Sequence, residues 1–365
     1  MLNPSHRTIE NFPWLLVITT LILCGLAIIN LSSAAKTAHT AIYLWQLAWF
    51  GIGIVCAGVV TLIDYRIFQR MAYLFLGIVF LMLIAVLLVG KARMGAQRWL
   101  VLGPITLQPS ELLKLGLALA LAKYFAQRGD SPPYSLGQLI VPGLLILVPT
   151  LPVLKQPDLG TSVVILLVGC SIVLFYGIKW RSLVALILLS AAISVVGWFT
   201  FLKEYQKRRI LTFLNPESDA LGAGYHANQS IIAIGSGEMY GKGHGQGTQT
   251  QLSFLPEQHT DFVFSVWAEE HGFIGVAIVI ALYIILIIAV IAVSIGARDR
   301  FGQLVVVGCA AIIFWQTLIN ISMVTGLMPV VGITLPLFSY GGSSVLTVFI
   351  SIGLVINISL RRYLF

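Results

Sequence analysis

Residues 252–275, LSFLPEQHTDFVFSVWAEEHGFIG, gather ionisable groups in a chain that has few of them. Of 14 Asp and Glu among 365 residues, Glu257, Asp261, Glu269 and Glu270 fall within fourteen positions, beside His259 and His271. A long apolar run follows directly. Ionisable groups are expensive at a membrane boundary, so a cluster placed there marks a functional site. The blander alternative is capping: Asp261 or Thr260 can close the start of the helix that begins here. On a continuous helix, Ser265 would lie about 40° and Glu269 about 80° from Asp261, with Glu270 opposite. At most one of the two glutamates could then share the aspartate's face, and Glu270 would meet packing partners or orient a neighbour.

A second group lies in residues 91–114, KARMGAQRWLVLGPITLQPSELLK. Ser110 is placed to cap a helix, with Glu111 in its first turn and Lys114 one turn on. Capping accounts for Glu111 but not for Lys114, which opposes the helix dipole and nears apolar depth. Arg98 beside Trp99 has the form of an interfacial anchor. In KQPDLGT (155–161), Asp158 reads as a turn residue beside a proline.

Residues 203–261 are too many for a plain connector and too apolar for disorder. Eight glycines fall within 222–247. GKGHGQG (241–247) lacks both the leading strand and the Lys-Ser/Thr pair of a phosphate loop, so tight turns in a hinged loop are expected. Lys207, Arg208 and Arg209 form a basic cluster that could serve as an interfacial anchor; on the outer face it runs against the usual bias, which favours an anionic ligand. In GLMPVVGITLPLFSYGGSS (326–344), two prolines and four glycines break any helix. Such backbone is tolerated at membrane depth only when buried or lining a cavity.

The elements that must hold these groups are membrane helices. The chain is 58% hydrophobic and 10% charged, against about 25% charged in soluble domains. Its mean hydropathy is +0.95. We expect an all-α polytopic membrane protein, one domain over 1–365. Ten spans are expected, near 14–33, 43–63, 71–90, 111–127, 137–154, 161–178, 183–202, 262–295, 303–325 and 343–360. The fourth is the most polar, and the eighth is long enough to extend beyond the bilayer. The 203–261 loop joins the seventh and eighth. With the N-terminus inside, short inner loops carry 11 Lys and Arg and short outer loops 5. Both termini are therefore expected inside, with the unusual polar loops outside. The net charge of +8 fits lipid headgroups and topology; nothing suggests nucleic acid. Cys24, Cys56, Cys170 and Cys309 lie singly in apolar runs with no zinc spacing.

FLPEQHTDFVFSVWAEEHGFIG (254–275), QPSELLK (108–114), QPDLGTS (156–162) and LPLFSYGGSS (335–344) together resemble the SEDS family of shape, elongation, division and sporulation proteins. GYHANQSIIAIGSGEMYGKG with GTQTQLSFLPE resembles its RodA-like branch rather than the division branch. The likeness covers nearly the whole chain. One departure is Glu238-Met239, where the family usually continues with glycine. The resemblance implies a peptidoglycan glycosyltransferase that polymerises lipid II at the outer face of the bacterial cytoplasmic membrane, working with a class B penicillin-binding protein. It implies that Asp261 is essential, and it alone supports roles for Asp158, Glu269 and Gln229.

Lipid II carries an α-linked diphosphate and the glycan product is β-linked, so a single displacement needs one general base. Diphosphate leaves readily but needs its charge stabilised by cations or a metal. The expected set is Asp261 as base, with Lys114, Arg98 and the 207–209 cluster near the diphosphate. Glu111 would hold Lys114 or help bind a divalent cation, Mg or Mn; no organic cofactor is expected. Glu257, His259 and Thr260 complete the expected substrate surface. Two other readings share these features: a lipid II flippase and a scaffold for the partner transpeptidase. The first should spread polar groups across the bilayer, and the second gives no reason for the acidic cluster.

Overall fold

The computed structural model describes residues 12–34, 42–89, 91–93, 96–102, 105–128, 132–200, 204–215, 223–252, 254–255 and 257–362. Arg7, Lys36 and the side chain of Arg208 lie outside them. The helices are α1 (Trp14–Ala34), α2 (Ile42–Leu62), α3 (Tyr65–Val89), α4 (Pro109–Gln127), α5 (Ile140–Lys155), α6 (Leu159–Tyr176) and α7 (Trp180–Thr200). They continue with α8 (Glu204–Leu214), α9 (Ala223–Ser236), α10 (Thr248–Gln251), α11 (Val263–Ile295), α12 (Arg300–Val324) and α13 (Gly342–Leu360). The protein is a multi-pass α-helical membrane protein. Nine stretches among the described residues are long and apolar enough to cross a bilayer.

The expected fourth span is α4, which falls outside those nine because Glu111, Lys114 and Lys123 interrupt it. It is nonetheless a central helix, packed against α3, α6 and α12 and buried along most of its length. A helix ringed by protein can carry charges that a lipid-facing one cannot. α12 and α13 are the most buried spans, whereas α7 buries none of its apolar stretch. Ser110 does not cap α4. The N-cap is Gln108, with Pro109 at the first helical position, where its missing N–H costs nothing.

Where the sequence suggests a loop, three short antiparallel strands pair in the order β1 (Lys91–Arg93), β2 (Ala96–Leu102) and β3 (Ile105–Leu107). The sheet lies against the bundle through Gln108, whose backbone N–H donates to Ser343 Oγ at 2.9 Å.

α11 is 33 residues long, about 50 Å at 1.5 Å per residue, more than a hydrocarbon core of about 30 Å requires. It is broken at Gly272, where φ is 61° and ψ −163°. That geometry is open to glycine and closed to most side chains. The break frees backbone groups on both sides, and the turn after α9 satisfies them. Lys242 N donates to Glu269 O at 3.0 Å, Gly243 N to Glu270 O at 3.0 Å, and Phe273 N to Glu238 O at 2.8 Å. The glycine-rich stretch is thus spliced into the helix break. Glu238 itself has φ 47°, a conformation that favours the glycine usual there in the family.

Candidate active site

Asp261 lies in a turn, Glu257 to Phe262, that precedes α11, whose N-cap is Phe262 without a side-chain cap. Neither Asp261 nor Thr260 therefore caps the helix, and the helical-wheel angles measured from Asp261 do not apply. The turn is fastened to the 326–341 segment from several directions. Ser339 Oγ donates to Thr260 O at 2.6 Å, and Tyr340 N donates to His259 O at 2.9 Å. Asn320 Nδ2, from α12, donates to Asp261 O at 3.0 Å and to Ile333 O at 2.6 Å. The expected cavity wall from 326–342 is thus a clamp that sets where the aspartate sits.

The electrostatics of that carboxyl follow from its surroundings. Burial pushes it from its ordinary 3.8 to about 6, and Glu257 pushes the same way. Arg209 and Arg98 pull against them, and Asp158 adds slightly to the rise. Glu257, Arg98, Arg209 and Asp158 therefore lie near enough to act on Asp261. Burial also holds His259 below its usual range, against the field of Glu257. Thr260 Oγ1 donates to Glu257 Oε2 at 3.1 Å.

Arg98 is more than an interfacial anchor. It donates to Pro157 O at 2.5 Å and lies 3.6 Å from Asp158. Asp158 also accepts from Thr161 N at 3.3 Å, capping α6, and from Gln108 Nε2 at 3.3 Å. These contacts tie β2 to the start of α6 and fix the guanidinium whose charge acts on Asp261.

Glu111 and Lys114 form a separate pair at 2.7 Å, both buried. They line a small cavity with Gln108, Thr161, Gln316 and Gly332. Gly332 links this cavity to the aspartate, because a Cβ there would lie 3.2 Å from Asp261 Oδ2. Glu269 turns the other way. Its oxygens accept from Lys242 Nζ at 2.8 Å, Gln249 N at 2.9 Å and Thr250 Oγ1 at 3.1 Å. Glu270 accepts from Ser33 Oγ on α1 and lies 3.4 Å from His244. The two glutamates thus anchor the 242–250 stretch and α1. Gln229 lies on α9, next to Ser230, which bonds Ser265 at 2.7 Å. Lys207 pairs with its helix neighbour Glu204 at 3.5 Å.

Sequence reasoning missed Asn320, Gln316 and Gly332. A signal existed for the first two, which are amides in the apolar run FWQTLINI, where a polar side chain calls for a partner. Among the described residues no group of three or more His, Cys, Asp or Glu converges as a metal site.

Comparison with known proteins supplies the family. The FtsW/RodA/SpoVE profile, described as cell cycle protein, matches residues 10–364. This chain belongs to that family. It is 41% identical to the peptidoglycan glycosyltransferase MrdB of Escherichia coli strain K12, over 99% of this chain and 97% of the relative. It is 36% identical to MrdB of Helicobacter pylori strain 26695, over 98% and 91%. Among solved structures it resembles the Thermus thermophilus rod shape determining protein RodA, with TM-score 0.72, 33% identity and coverage of 96% and 98%. A chain from a peptidoglycan synthase complex, reported for its coordination of polymerization and crosslinking, aligns with TM-score 0.83 and 34% identity over 96% and 98%.

Proposed function

We propose that this chain is a peptidoglycan glycosyltransferase that polymerises lipid II during cell-wall elongation, with Asp261 as general base. The names of its full-length relatives support the activity. The observation that carries the assignment of Asp261 is its setting. It is a carboxylate raised to about 6, in a turn whose backbone carbonyls accept from Asn320, Ser339 and Tyr340, with two arginines acting on it. A base with a value somewhat below the working pH is mostly ionised yet still takes a proton effectively.

In the reaction, Asp261 takes the proton of an acceptor sugar hydroxyl as its oxygen attacks the anomeric carbon. The bond from that carbon to the diphosphate breaks, and the electron pair leaves with the undecaprenyl diphosphate. Arg98 and Arg209 stabilise the charge that develops there. Arg98 is held ready by Asp158 and the carbonyl of Pro157, so little reorganisation is needed. Lys114, deep and paired with Glu111, supports the wall behind Gly332.

The site opens to the outer face, both termini are cytoplasmic, and a class B penicillin-binding protein crosslinks the strands produced. The complex seen for a structural neighbour supports that pairing. The test is lipid II polymerisation by the purified protein with this partner, comparing wild type and Asp261→Asn. Loss of the base should cost about 10²–10⁴-fold in rate. Equal strand synthesis by both proteins removes Asp261 as the base. Lipid II crossing vesicle membranes, with no polymer from either protein, makes the chain a flippase.

A further inference from the structure

We propose that Asn320 is a positioning residue for Asp261, fixing through one amide group both the aspartate's backbone and the glycine wall that its carboxylate faces. The proposal rests on the reading of Asp261 as base.

Asn320 sits on α12, fully buried. Its Nδ2 carries two protons, and the two go to different segments: Asp261 O at 3.0 Å and Ile333 O at 2.6 Å. Ile333 follows Gly332, whose φ is 73° and whose missing Cβ leaves room for Asp261 Oδ2. One side chain therefore bonds both the catalytic turn at Asp261 and this wall at Ile333. Other ties join the two segments further along, at Thr260 and His259. Asn320 alone among the described residues bonds the carbonyl of Asp261 itself.

The other end of the amide points to function rather than stability. Asn320 Oδ1 is buried with no hydrogen-bond partner. An unsatisfied buried acceptor is costly, and a leucine of similar size would avoid that cost. A leucine could not donate to both carbonyls. The charged groups acting on Asp261 are Glu257 in its own turn, Arg209 on α8, Arg98 on β2 and Asp158 at the start of α6. Asn320 adds no charge to that set. Replacing it alters where the carboxylate sits and how far water reaches it, and leaves the surrounding charges unchanged.

The experiment measures initial rates of lipid II polymerisation against substrate concentration and pH, using the full chain with its class B partner. The proteins are wild type, Asn320→Leu, Gly332→Ala and Asp261→Asn, with melting temperatures recorded for each. A displacement of about 1 Å costs about 10²-fold, so kcat of Asn320→Leu should fall by about that factor while KM changes by less than about threefold. Its acid midpoint should move below that of wild type, as water reaches the carboxylate. Gly332→Ala leaves the Asn320 side chain in place but crowds the carboxylate and strains the backbone at φ 73°, and should also lose kcat with KM retained. It covers the case in which Asn320→Leu does not fold, and wild-type kcat in it overturns the proposal. Wild-type kcat and midpoint in Asn320→Leu also overturn it, as does a loss that only tracks the folded fraction with an unmoved midpoint. An active Asp261→Asn variant instead removes the base, a failure separate from that of Asn320.

Discussion

Replacing Asp261 by asparagine should stabilise the fold while abolishing activity, and the size of the gain should depend on pH. The carboxyl is raised from 3.8 to about 6, by burial first and then by Glu257. Between those two values the folded state holds more protons than the unfolded chain. Stability therefore falls as pH rises through that window, and the loss is complete above it. At about 1.36 kcal/mol per pH unit, the ionised group costs the fold about 3 kcal/mol at pH 7.5. At pH 5 the same linkage gives about half as much, because much of the folded population is already protonated. Asparagine keeps the shape without the charge. The assay is thermal unfolding of the purified protein in detergent at both pH values, followed by tryptophan fluorescence. The variant should melt several degrees higher at pH 7.5 and by a smaller margin at pH 5. Equal melting at pH 7.5, or a variant that melts lower, refutes the claim that the fold bears a charge it resists. A stabilised, inactive variant is the expected mark of a site where function costs stability.

Three further outcomes follow from the same geometry. Polymerisation by wild type should fall to about a tenth of its plateau at pH 5; a profile flat from pH 7 to 5 would mean a base with an ordinary carboxylate value. Lys114→Met leaves Glu111 buried and unpaired, which should cost about 3–5 kcal/mol, and adding Glu111→Gln should recover most of the lost melting temperature without restoring full activity. A single variant that melts like wild type contradicts the burial of the pair. Glu269→Gln weakens the bonds to Lys242, Gln249 and Thr250, so limited proteolysis should cut faster within 242–251 while the acid midpoint stays fixed. An unchanged cleavage rate would show that the carboxylate does not hold that stretch.

The spans were legible because bilayer thickness writes itself into the length of apolar runs, and α4 shows where that rule stops. Its Glu111 and Lys114 look too polar for a span until neighbouring helices are seen to surround it. The acidic turn was legible for a related reason: in a chain with so few carboxylates, four close together stand out. Their division of labour was not. Measuring helical angles from Asp261 assumed a helix that starts two residues later, at Val263, and is broken at Gly272. A single glycine in an apolar run carries no local sign of such a break, because the break is stabilised by Lys242 and Gly243, some thirty residues earlier in the chain.

The same contrast separates Asp261 from Asn320. Charge at a membrane boundary announces itself, since desolvation makes it costly wherever it has no purpose. An amide inside a span is cheaper and looks like ordinary helix–helix packing, which is what Asn30 does when it bonds Val263 O at 2.8 Å. What distinguishes Asn320 is the identity of its two acceptors, and those come together only when α12, the turn before α11 and the 326–341 segment are folded against one another. The aspartate supplies the chemistry, but its position depends on polar contacts from segments that the linear order keeps about 60 residues apart. Substitutions in this part of α12 should therefore weigh on turnover more than on substrate binding.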